Sequence, residues 1–286
     1  MIEFKPVDLK YAEEMSLYIK DEKINEYGII PTFAYSGADG VHFCIKDNCL
    51  ISRFFDDGKY FYCISGEKEN FPDLIKELKE QAGTILLYNL TQEKCNFLKE
   101  TFKNAKISDK GIEQYDYLYE INDFLNLSGK KARHKRENYN KFINSYDFEY
   151  KELTKDNFKD CFSVLTSWCK TKSCVNCEYA CEHAVLHYIS RHYDSLPVKG
   201  GIIYENDLPI AFFIGEIVGD CLMGYHQKTL HGYTGIGYAI YIEALKNSFS
   251  ECKYFNLGPD IGIEGLRQFK RQFKPYTLVE KYIMEI

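Results

Sequence analysis

Two groups of three short strands, joined by tight turns, constrain the fold of this 286-residue chain more than any other feature. Alternating apolar residues and turns of Asp, Asn and Gly predict the first group at 41–45, 49–55 and 60–65. The same pattern predicts a second group at 201–204, 208–218 and 221–227. A three-stranded meander buries at least one face against other elements, so each group predicts the centre of its own layered unit.

Predicted elements flank both meanders in the same order. In the first half, strands and helices alternate at 4–7, 8–19, 71–81, 84–88, 91–102 and 115–121. A loop rich in Gly, Pro and Tyr is expected after residue 19. The second half repeats the order at 148–153, 155–168, 238–249, 254–257, 261–273 and 278–284. It has one additional predicted helix, at 182–193.

This order of elements resembles that of GCN5-related N-acyltransferases, and it occurs twice. The expected fold class is therefore α+β, with two similar domains in tandem and mixed sheets flanked by helices. We expect an N-terminal domain at 1–121, a basic connecting helix within 122–146, and a C-terminal domain at 147–286 that carries the site. Ligand sites favour such junctions between domains.

The connecting helix places apolar side chains on one stripe and most of its basic side chains on the remaining surface. Lys135 falls inside the apolar stripe, and Lys131 lies on its flank. A buried ammonium needs an anion or a polar partner, so Lys131, Lys135 and Arg136 are candidates for binding a negatively charged substrate. Alternatively, Lys135 extends its ammonium to solvent along its apolar stem.

A glycine-rich loop at 231–238 precedes a predicted helix. Backbone amides at such a position hold phosphate or carboxylate groups, which makes Gly235 and Gly237 candidate contacts for acyl-CoA. Acyl-CoA transferases of this fold carry Arg or Gln where this chain has Gly232, and this difference weakens the hypothesis. A turn that binds no ligand is the alternative.

Several carboxylates and cations near the end of the chain could carry chemistry. Asp260 either caps the predicted helix at 261–273 or acts as an acid or positioning carboxylate close to Lys270. Arg267 would then bind a carboxylate or phosphate of the substrate. Glu216 lies in an apolar strand, where burial would raise its pKa and suit it to act as a general base, unless strand alternation turns it to solvent. Glu182 begins a predicted helix and is a further carboxylate of interest.

Thiols cluster between the predicted helices at 155–168 and 182–193 of the C-terminal domain. Cys174, Cys177, Cys181 and His183 have spacings compatible with zinc or an iron–sulfur cluster, but a second Cys-x-x-Cys pair is missing. The eleven cysteines therefore predict mostly reduced thiols in a chain that binds no metal.

Composition excludes several classes of protein. The net charge of −6 argues against non-specific coating of nucleic acid, although the connecting helix is locally very basic. A membrane-spanning apolar run and a signal peptide are both missing from the sequence. The expected location is the cytoplasm, with peripheral binding to the inner face of the membrane as a possibility.

A series of residues along both halves matches a known pattern. They are Tyr117-Leu118-Tyr119, Leu127-Ser128-Gly129-Lys130-Lys131, Lys135-Arg136, Asn140, Phe142, residues 211–216, Lys228, Asn256, Asp260, Gly262, Gly265-Leu266-Arg267, Lys270 and Pro275. In these residues the chain resembles bacterial proteins related to the C-terminal domain of phosphatidylglycerol lysyltransferase.

The resemblance implies tandem acyltransferase domains that move an amino acid from aminoacyl-tRNA to a lipid headgroup. The similar Fem-type enzymes transfer to peptidoglycan precursors. The resemblance also adds Lys228 and Asn256 to the substrate-binding candidates. This sequence departs from the pattern because it lacks the membrane module of the lipid synthases and has Gln227 where Glu is expected before Lys228. The lipid acceptor and the active-site assignment therefore stay open.

The leading hypothesis is aminoacyl transfer to an amine or hydroxyl acceptor without a required cofactor. Basic side chains would hold phosphates or developing negative charge, and Asp260 or Glu216 would orient or deprotonate the nucleophile. One alternative is an acyl-CoA-dependent N-acyltransferase that acts on a small molecule. Another is a non-catalytic module that binds RNA or an anionic membrane surface.

Overall fold

The computed structural model describes residues 1–35, 40–130, 132–172 and 181–286. The helices of this part of the chain are α1 (Ala12–Ile19), α2 (Ile29–Ala34), α3 (Phe71–Ala82), α4 (Gln92–Thr101), α5 (Ile121–Leu125), α6 (Arg133–Ser145), α7 (Phe158–Lys172), α8 (Glu182–Arg191), α9 (Ile236–Asn247) and α10 (Glu264–Gln272). The strands are β1 (Lys5–Pro6), β2 (His42–Lys46), β3 (Cys49–Asp56), β4 (Lys59–Gly66), β5 (Leu86–Leu90), β6 (Lys106–Asp109), β7 (Asp116–Glu120), β8 (Phe148–Glu152), β9 (Lys199–Glu205), β10 (Leu208–Val218), β11 (Cys221–Thr229), β12 (Tyr254–Asn256), β13 (Thr277–Val279) and β14 (Tyr282–Glu285).

These strands form two seven-stranded mixed sheets flanked by helices, which confirms the predicted α+β class. The first sheet has the order β1-β2-β3-β4-β5-β14-β6, and the second has the order β8-β9-β10-β11-β12-β7-β13. The two orders correspond position by position. In both sheets the fourth and fifth strands of the order given are parallel to each other. These are β4 and β5 in the first sheet and β11 and β12 in the second.

The two halves exchange one strand each. Strand β7 comes from the first half of the chain but pairs with β12 and β13 in the second sheet. Strand β14 ends the chain but pairs with β5 and β6 in the first sheet. The sheets therefore do not divide the chain at residue 121, and the single strand predicted at 278–284 is in fact two strands that belong to different sheets.

Several predicted boundaries also change. The segment predicted to be a loop after residue 19 contains α2, whose Pro31 lies in the first turn, where a missing N–H does not disrupt a helix. The connecting helix was predicted from residue 130 but begins at Arg133, and α10 was predicted from residue 261 but begins at Glu264. Ile261 has a φ of 48°, which is incompatible with a helix starting there.

Strand β10 is the most deeply buried strand around the candidate site. Phe212 and Ile214 pack into the core beneath α1, α2, α7 and α8, while Ala211 and Phe213 pack into the core beneath α5, α6 and α9. Both faces are covered, which explains the continuous apolar run in the sequence of this strand. No helix in the described ranges is long and apolar enough to cross a membrane.

A buried ion cluster joins the exchanged strands. Lys281 lies between β13 and β14, is fully buried, and places its ammonium 2.6 Å from Asp116 Oδ1 of β7 and 2.7 Å from Glu26 Oε1. The other oxygen of Asp116 accepts hydrogen bonds from the Asn25 backbone N–H at 2.7 Å and the Asn256 side-chain amide at 3.0 Å. This cluster therefore links the segment 25–26 to both halves of the chain.

Replacing Lys281 with Met should destabilise the fold by roughly 3–5 kcal/mol, because the buried Asp116 carboxylate would lose its countercharge. Urea unfolding followed by circular dichroism would measure the change. Lys106→Met is the matched control, since its ion pair with Glu285 is exposed and exposed pairs contribute little. Equal stability of the two variants would contradict the role given to Lys281.

Candidate functional site

A β-bulge in β11 places two consecutive side chains on the same face of the second sheet. Ile214 of β10 pairs with His226, whereas the next residue, Gly215, pairs with Gly224, so Tyr225 is the extra residue. An extra residue interrupts the usual alternation of side chains between faces. Tyr225 and His226 therefore both join Glu216 and Lys228 on the face covered by α2, α7 and α8.

The corresponding hairpin of the first sheet lacks these groups. Strands β3 and β4 also meet at a two-residue turn, and their pairing is regular throughout. Matched by strand pairing, with the bulged Tyr225 left out, Phe54 corresponds to Glu216, Cys63 to His226, and Ser65 to Lys228. Only the second hairpin thus combines a carboxylate, an imidazole and an ammonium on one face.

Glu216 is completely buried, which overturns the alternative that strand alternation turns it to solvent. Its carboxylate accepts hydrogen bonds from the Tyr225 hydroxyl at 2.5 Å and the Ile30 backbone N–H at 3.2 Å. Burial raises the pKa of Glu216 to about 7, against the lowering effect of these hydrogen bonds. A side chain at Gly28 would collide with both Glu216 and Tyr225, so the segment 28–30 covers this pair tightly.

His226 forms a hydrogen-bonded chain with Tyr35 and Glu182. Its Nδ1 lies 3.2 Å from Glu182 Oε1, and its Nε2 lies 3.2 Å from the Tyr35 hydroxyl. Because an ionised carboxylate only accepts hydrogen bonds, the contact with Glu182 requires a proton on Nδ1. In the tautomer without a proton on Nε2, that nitrogen accepts from the Tyr35 hydroxyl. A base oriented by a carboxylate and bonded to a hydroxyl is the arrangement used in proton-transfer sites.

Lys228 and Trp168 form the outer part of this site. The Lys228 ammonium lies 2.8 Å from Glu182 Oε1 and 4.7 Å from the centre of the Trp168 ring. Burial alone would raise the pKa of Glu182, but the hydrogen bond from His226 and the charge of Lys228 lower it to about 2. Glu182 is therefore ionised at neutral pH. We name Tyr35, Glu182, Glu216, Tyr225, His226 and Lys228 the polar cluster.

The buried Asp260 and the half-buried Arg267 form a separate pair. Arg267 donates two hydrogen bonds of 2.9 Å to the Asp260 carboxylate, which also accepts from the Tyr117 hydroxyl and the Gly262 backbone N–H. Burial acts to raise the pKa of Asp260, but these donors lower it to about 2. Asp260 thus holds the turn before α10 instead of capping it, since the N-cap residue is Ile263. Its partner is Arg267, not Lys270.

The cations predicted to hold a substrate mostly bind backbone carbonyls. Lys270 is buried and donates to the carbonyl oxygens of residues 257, 258 and 259 at 2.7, 3.0 and 2.6 Å. Lys135 is buried as well and donates to the carbonyl oxygens of Asp123 and Phe124 at the end of α5, so it does not extend to solvent. Burial lowers the pKa of each ammonium to about 8. Arg136 binds the carbonyl oxygens of Leu127 and Gly129.

The glycine-rich loop is packed against α6. Gly235 begins α9 with a φ of 85°, and a side chain there would collide with the Asn138 carbonyl of α6. The Thr234 N–H donates to the Tyr146 hydroxyl at 3.3 Å. A Cβ atom added at Gly237 would lie 3.5 Å from the Phe269 ring, which is an ordinary contact. Close approach of α6 therefore explains why residue 235 is glycine.

Other predicted residues lie outside the polar cluster or outside the described residues. Asn256 is fully buried and binds Asp116 and the Lys23 carbonyl, so it belongs to the ion cluster. Lys131, Cys174 and Cys177 fall outside the described residues. Cys181 is exposed, and in the described part of the chain no three His, Cys, Asp or Glu side chains are placed to hold a metal ion.

The sequence did not single out Tyr35, Tyr225 and His226. Regular alternation would place Tyr225 and His226 on opposite faces of β11, so they could not be recognised as neighbours. One signal was available. The glycines Gly215 and Gly224 face each other beside the bulge, and glycine within a strand often marks a bulge.

Replacing Glu216 with Gln should change how stability depends on pH. The folded protein binds a proton at Glu216 up to about pH 7, whereas the unfolded chain releases it near pH 4.5. The contribution of this group is therefore complete below about pH 4.5 and is lost as the pH rises through about 7. We expect the unfolding free energy of the wild type, relative to Glu216→Gln, to fall by about 3 kcal/mol over this range.

Urea unfolding of both proteins from pH 4.5 to 8 would measure this difference. Glu14→Gln removes an exposed carboxylate from α1 and serves as the control. A difference between wild type and Glu216→Gln that stays constant with pH would show that Glu216 titrates at its ordinary pKa.

Comparison with known proteins agrees with the sequence resemblance. A conserved protein of unknown function from Bacteroides thetaiotaomicron VPI-5482 is similar, with a TM-score of 0.91 and 24% identity over 100% of both chains. The C-terminal domain of a putative lysylphosphatidylglycerol synthetase from Agrobacterium fabrum has a TM-score of 0.71 and 12% identity over 97% of this chain and 90% of that chain. FemX has a TM-score of 0.68 and 10% identity over 99% of this chain and 97% of its own.

These likenesses show the fold. The sequence match is more specific, since it covers residues 31–285 and so includes every member of the polar cluster and the Asp260–Arg267 pair. The chain therefore belongs to the family of the phosphatidylglycerol lysyltransferase C-terminal domain.

Proposed function

We propose that this protein is an aminoacyltransferase that moves an amino acid from aminoacyl-tRNA to an amine or hydroxyl acceptor. The observation that carries the proposal is the chain Tyr35–His226–Glu182, which lies on the second sheet of a fold shared with a putative lysylphosphatidylglycerol synthetase. Aminoacyl transfer requires removal of a proton from the attacking nucleophile. An imidazole whose Nδ1 is held by an ionised carboxylate has its other nitrogen oriented for that task.

The geometry supports a path for the proton through Tyr35 and His226. Tyr35 keeps 43% of its surface exposed, whereas His226 keeps 2%, so Tyr35 is the member of the chain that reaches a bound nucleophile. The nucleophile gives its proton to the Tyr35 oxygen as Tyr35 gives its own proton to His226 Nε2. Glu182 stabilises the resulting imidazolium while the nucleophile forms its bond to the ester carbonyl carbon. The bond from that carbon to the tRNA oxygen then breaks, and the proton held by His226 returns through Tyr35 to the departing oxygen, which returns the imidazole to its neutral form.

The roles of the predicted catalytic residues are revised in this proposal. Asp260 is ionised, buried and bound by Arg267, so we assign it to positioning the turn before α10. Lys270 holds the backbone of residues 257–259. Glu216 contacts a substrate only through the Tyr225 hydroxyl, because the segment 28–30 covers it. Lys228, beside Trp168, faces the substrate from the outer part of the polar cluster.

The acyl-CoA alternative has less support. A pyrophosphate would need the amides at the start of α9, but α6 approaches that loop through the Asn138 carbonyl and the Tyr146 hydroxyl. A carbonyl oxygen at this position repels a phosphate. We therefore keep acyl-CoA as the second candidate donor and test it alongside aminoacyl-tRNA.

The proposal predicts that His226→Gln slows transfer by roughly 10²–10⁴-fold, the usual contribution of a general base. The assay follows release of a radiolabelled amino acid from individual aminoacyl-tRNAs, with phosphatidylglycerol vesicles or a small amine as acceptor. His187→Gln is the control, because His187 lies exposed on α8, where its ring packs against Phe162 outside the polar cluster. Failure of every aminoacyl-tRNA to react, together with acetyl transfer from acetyl-CoA, would replace the proposal with the acyl-CoA alternative.

A second prediction concerns how the tRNA binds. Lys130 and Arg133 are exposed at the start of α6, which packs against α9 on the face of the second sheet opposite the polar cluster. RNA bound there has to extend around the sheet to bring its end to His226. Contacts with phosphates make affinity fall with salt, so Lys130→Gln with Arg133→Gln should reduce the slope of log K against log salt by about 1–2.

Binding of uncharged tRNA at several salt concentrations would measure that slope. Lys76→Gln with Lys79→Gln removes the same charge from the exposed face of α3 and is the matched control. Equal slopes for the two double variants would mean that α6 does not contact the RNA. Binding that depends on α6 in a protein that transfers nothing would instead favour a non-catalytic RNA-binding module.

A further inference from the structure

A cleft of about 1240 Å³ opens where β4 and β5 separate in the first sheet. These parallel strands pair only at Phe61 with Leu86 and Tyr62 with Leu87, and then diverge. The cleft lies between the end of β4, the starts of α3 and α4, and strand β13 of the second sheet. It contains no member of the polar cluster.

The equivalent gap in the second sheet is closed. Strands β11 and β12 also separate after Met223 and Asn256, but the segment 25–30 fills the space between them. The Asn25 side-chain amide donates to the Gly224 carbonyl at 3.3 Å, and Ile30 donates to Glu216. Only the first gap therefore stays open to a ligand.

The floor of the open cleft is preorganised. Lys94 is paired with Glu22 at 2.5 Å and also donates to the Ile64 carbonyl at 3.1 Å. Ile64 lies beyond the last residues at which β4 pairs with β5, so β5 does not bind this carbonyl. The walls include the apolar side chains of Leu17, Phe71 and Leu278. Such walls suit the alkyl part of a ligand.

The charges around the cleft favour a cationic ligand. Three of its lysines, Lys23, Lys68 and Lys94, are already neutralised by ion pairs with Asp220, Glu93 and Glu22. Among the described residues that line the cleft, four carboxylates form no ion pair. Lys20 is the one lysine of this lining that forms none either, so unpaired negative charges outnumber unpaired positive charges. These carboxylates are Asp21, Glu67, Glu69 and Glu280. Glu67 and Glu69 also lie just before the N-terminus of α3. The positive end of the helix dipole is therefore already balanced by these carboxylates and does not call for an anionic ligand.

The edge of the second sheet explains why an extended ligand fits. Strand β13 ends that sheet, and residues 277–280 line the cleft. An end strand leaves backbone hydrogen-bonding groups unpaired, and extended peptides bind such edges by adding a strand. The volume of the cleft is also far larger than a linear polyamine needs.

We propose that this cleft binds an extended peptide that carries lysine side chains. Its ammonium groups would meet Glu67, Glu69 and Asp21, its alkyl stems would pack on Leu17 and Leu278, and its backbone would lie along β13. The inference does not rest on the proposed aminoacyl transfer. It rests on the open gap, the edge strand and the unbalanced carboxylates of the first half.

Fluorescence anisotropy of a labelled seven-residue peptide of alternating Lys and Ala, titrated with the full chain, tests the proposal. We expect saturable binding that Glu67→Gln with Glu69→Gln weakens about fivefold, since each exposed ion pair contributes modestly. The matched control is Glu13→Gln with Glu14→Gln, which removes the same charge from exposed positions of α1 outside the cleft lining. The control should leave the affinity unchanged.

Several outcomes would overturn the proposal. Equal weakening by both double variants would show that the peptide senses only overall charge. Equally tight binding of a peptide with Glu in place of Lys would exclude recognition of ammonium groups. Competition by spermidine as effective as that of unlabelled peptide would show that the backbone is not bound. None of these results depends on transferase activity, so a failure here is distinct from a failure of the proposed function.

Discussion

The buried ammonium of Lys281 fixes the arrangement on which the rest of the molecule depends. It lies where the chain passes from the second sheet to the first, and it meets Asp116 on the strand that passes the other way. Its second partner, Glu26, belongs to the segment that covers the polar cluster. Desolvating these charges is costly unless all are present together, so the two exchanged strands and residues 25–30 are held in place jointly.

This arrangement also determines which half can hold a catalytic site. The segment after α1 leaves its own sheet and fills the gap between β11 and β12 of the other. It thereby brings the Ile30 N–H to Glu216 and the Tyr35 hydroxyl to His226. The polar cluster is thus built from both halves, although its carboxylates and imidazole all come from the second. Neither half alone contains the complete arrangement.

The local elements could be predicted from the sequence, because hydrophobic periodicity and turn residues act over a few positions. Both meanders, the α+β class and the family were accessible in this way. The strand exchange was not, because β7 and β14 carry no local mark of the sheet in which they pair. The cations show the same limit. Periodicity located Lys135 in an apolar stripe, but whether its partner is a ligand or the end of α5 depends on residues 11 and 12 positions earlier in the chain.

The two hairpins show how one fold acquires different uses. By strand pairing, Phe54, Cys63 and Ser65 of the first occupy the positions of Glu216, His226 and Lys228 in the second. The two hairpins differ by one bulged residue, Tyr225. The first hairpin pairs regularly, whereas the bulge in the second brings polar side chains together on one face. The gaps beside the two hairpins also differ. The gap between β4 and β5, beside the first hairpin, is open, whereas the gap between β11 and β12, beside the polar hairpin, is filled. Covering the polar hairpin keeps water from its carboxylate, which is what raises the pKa of Glu216. The open gap instead leaves most of its lining carboxylates exposed and accessible to a ligand.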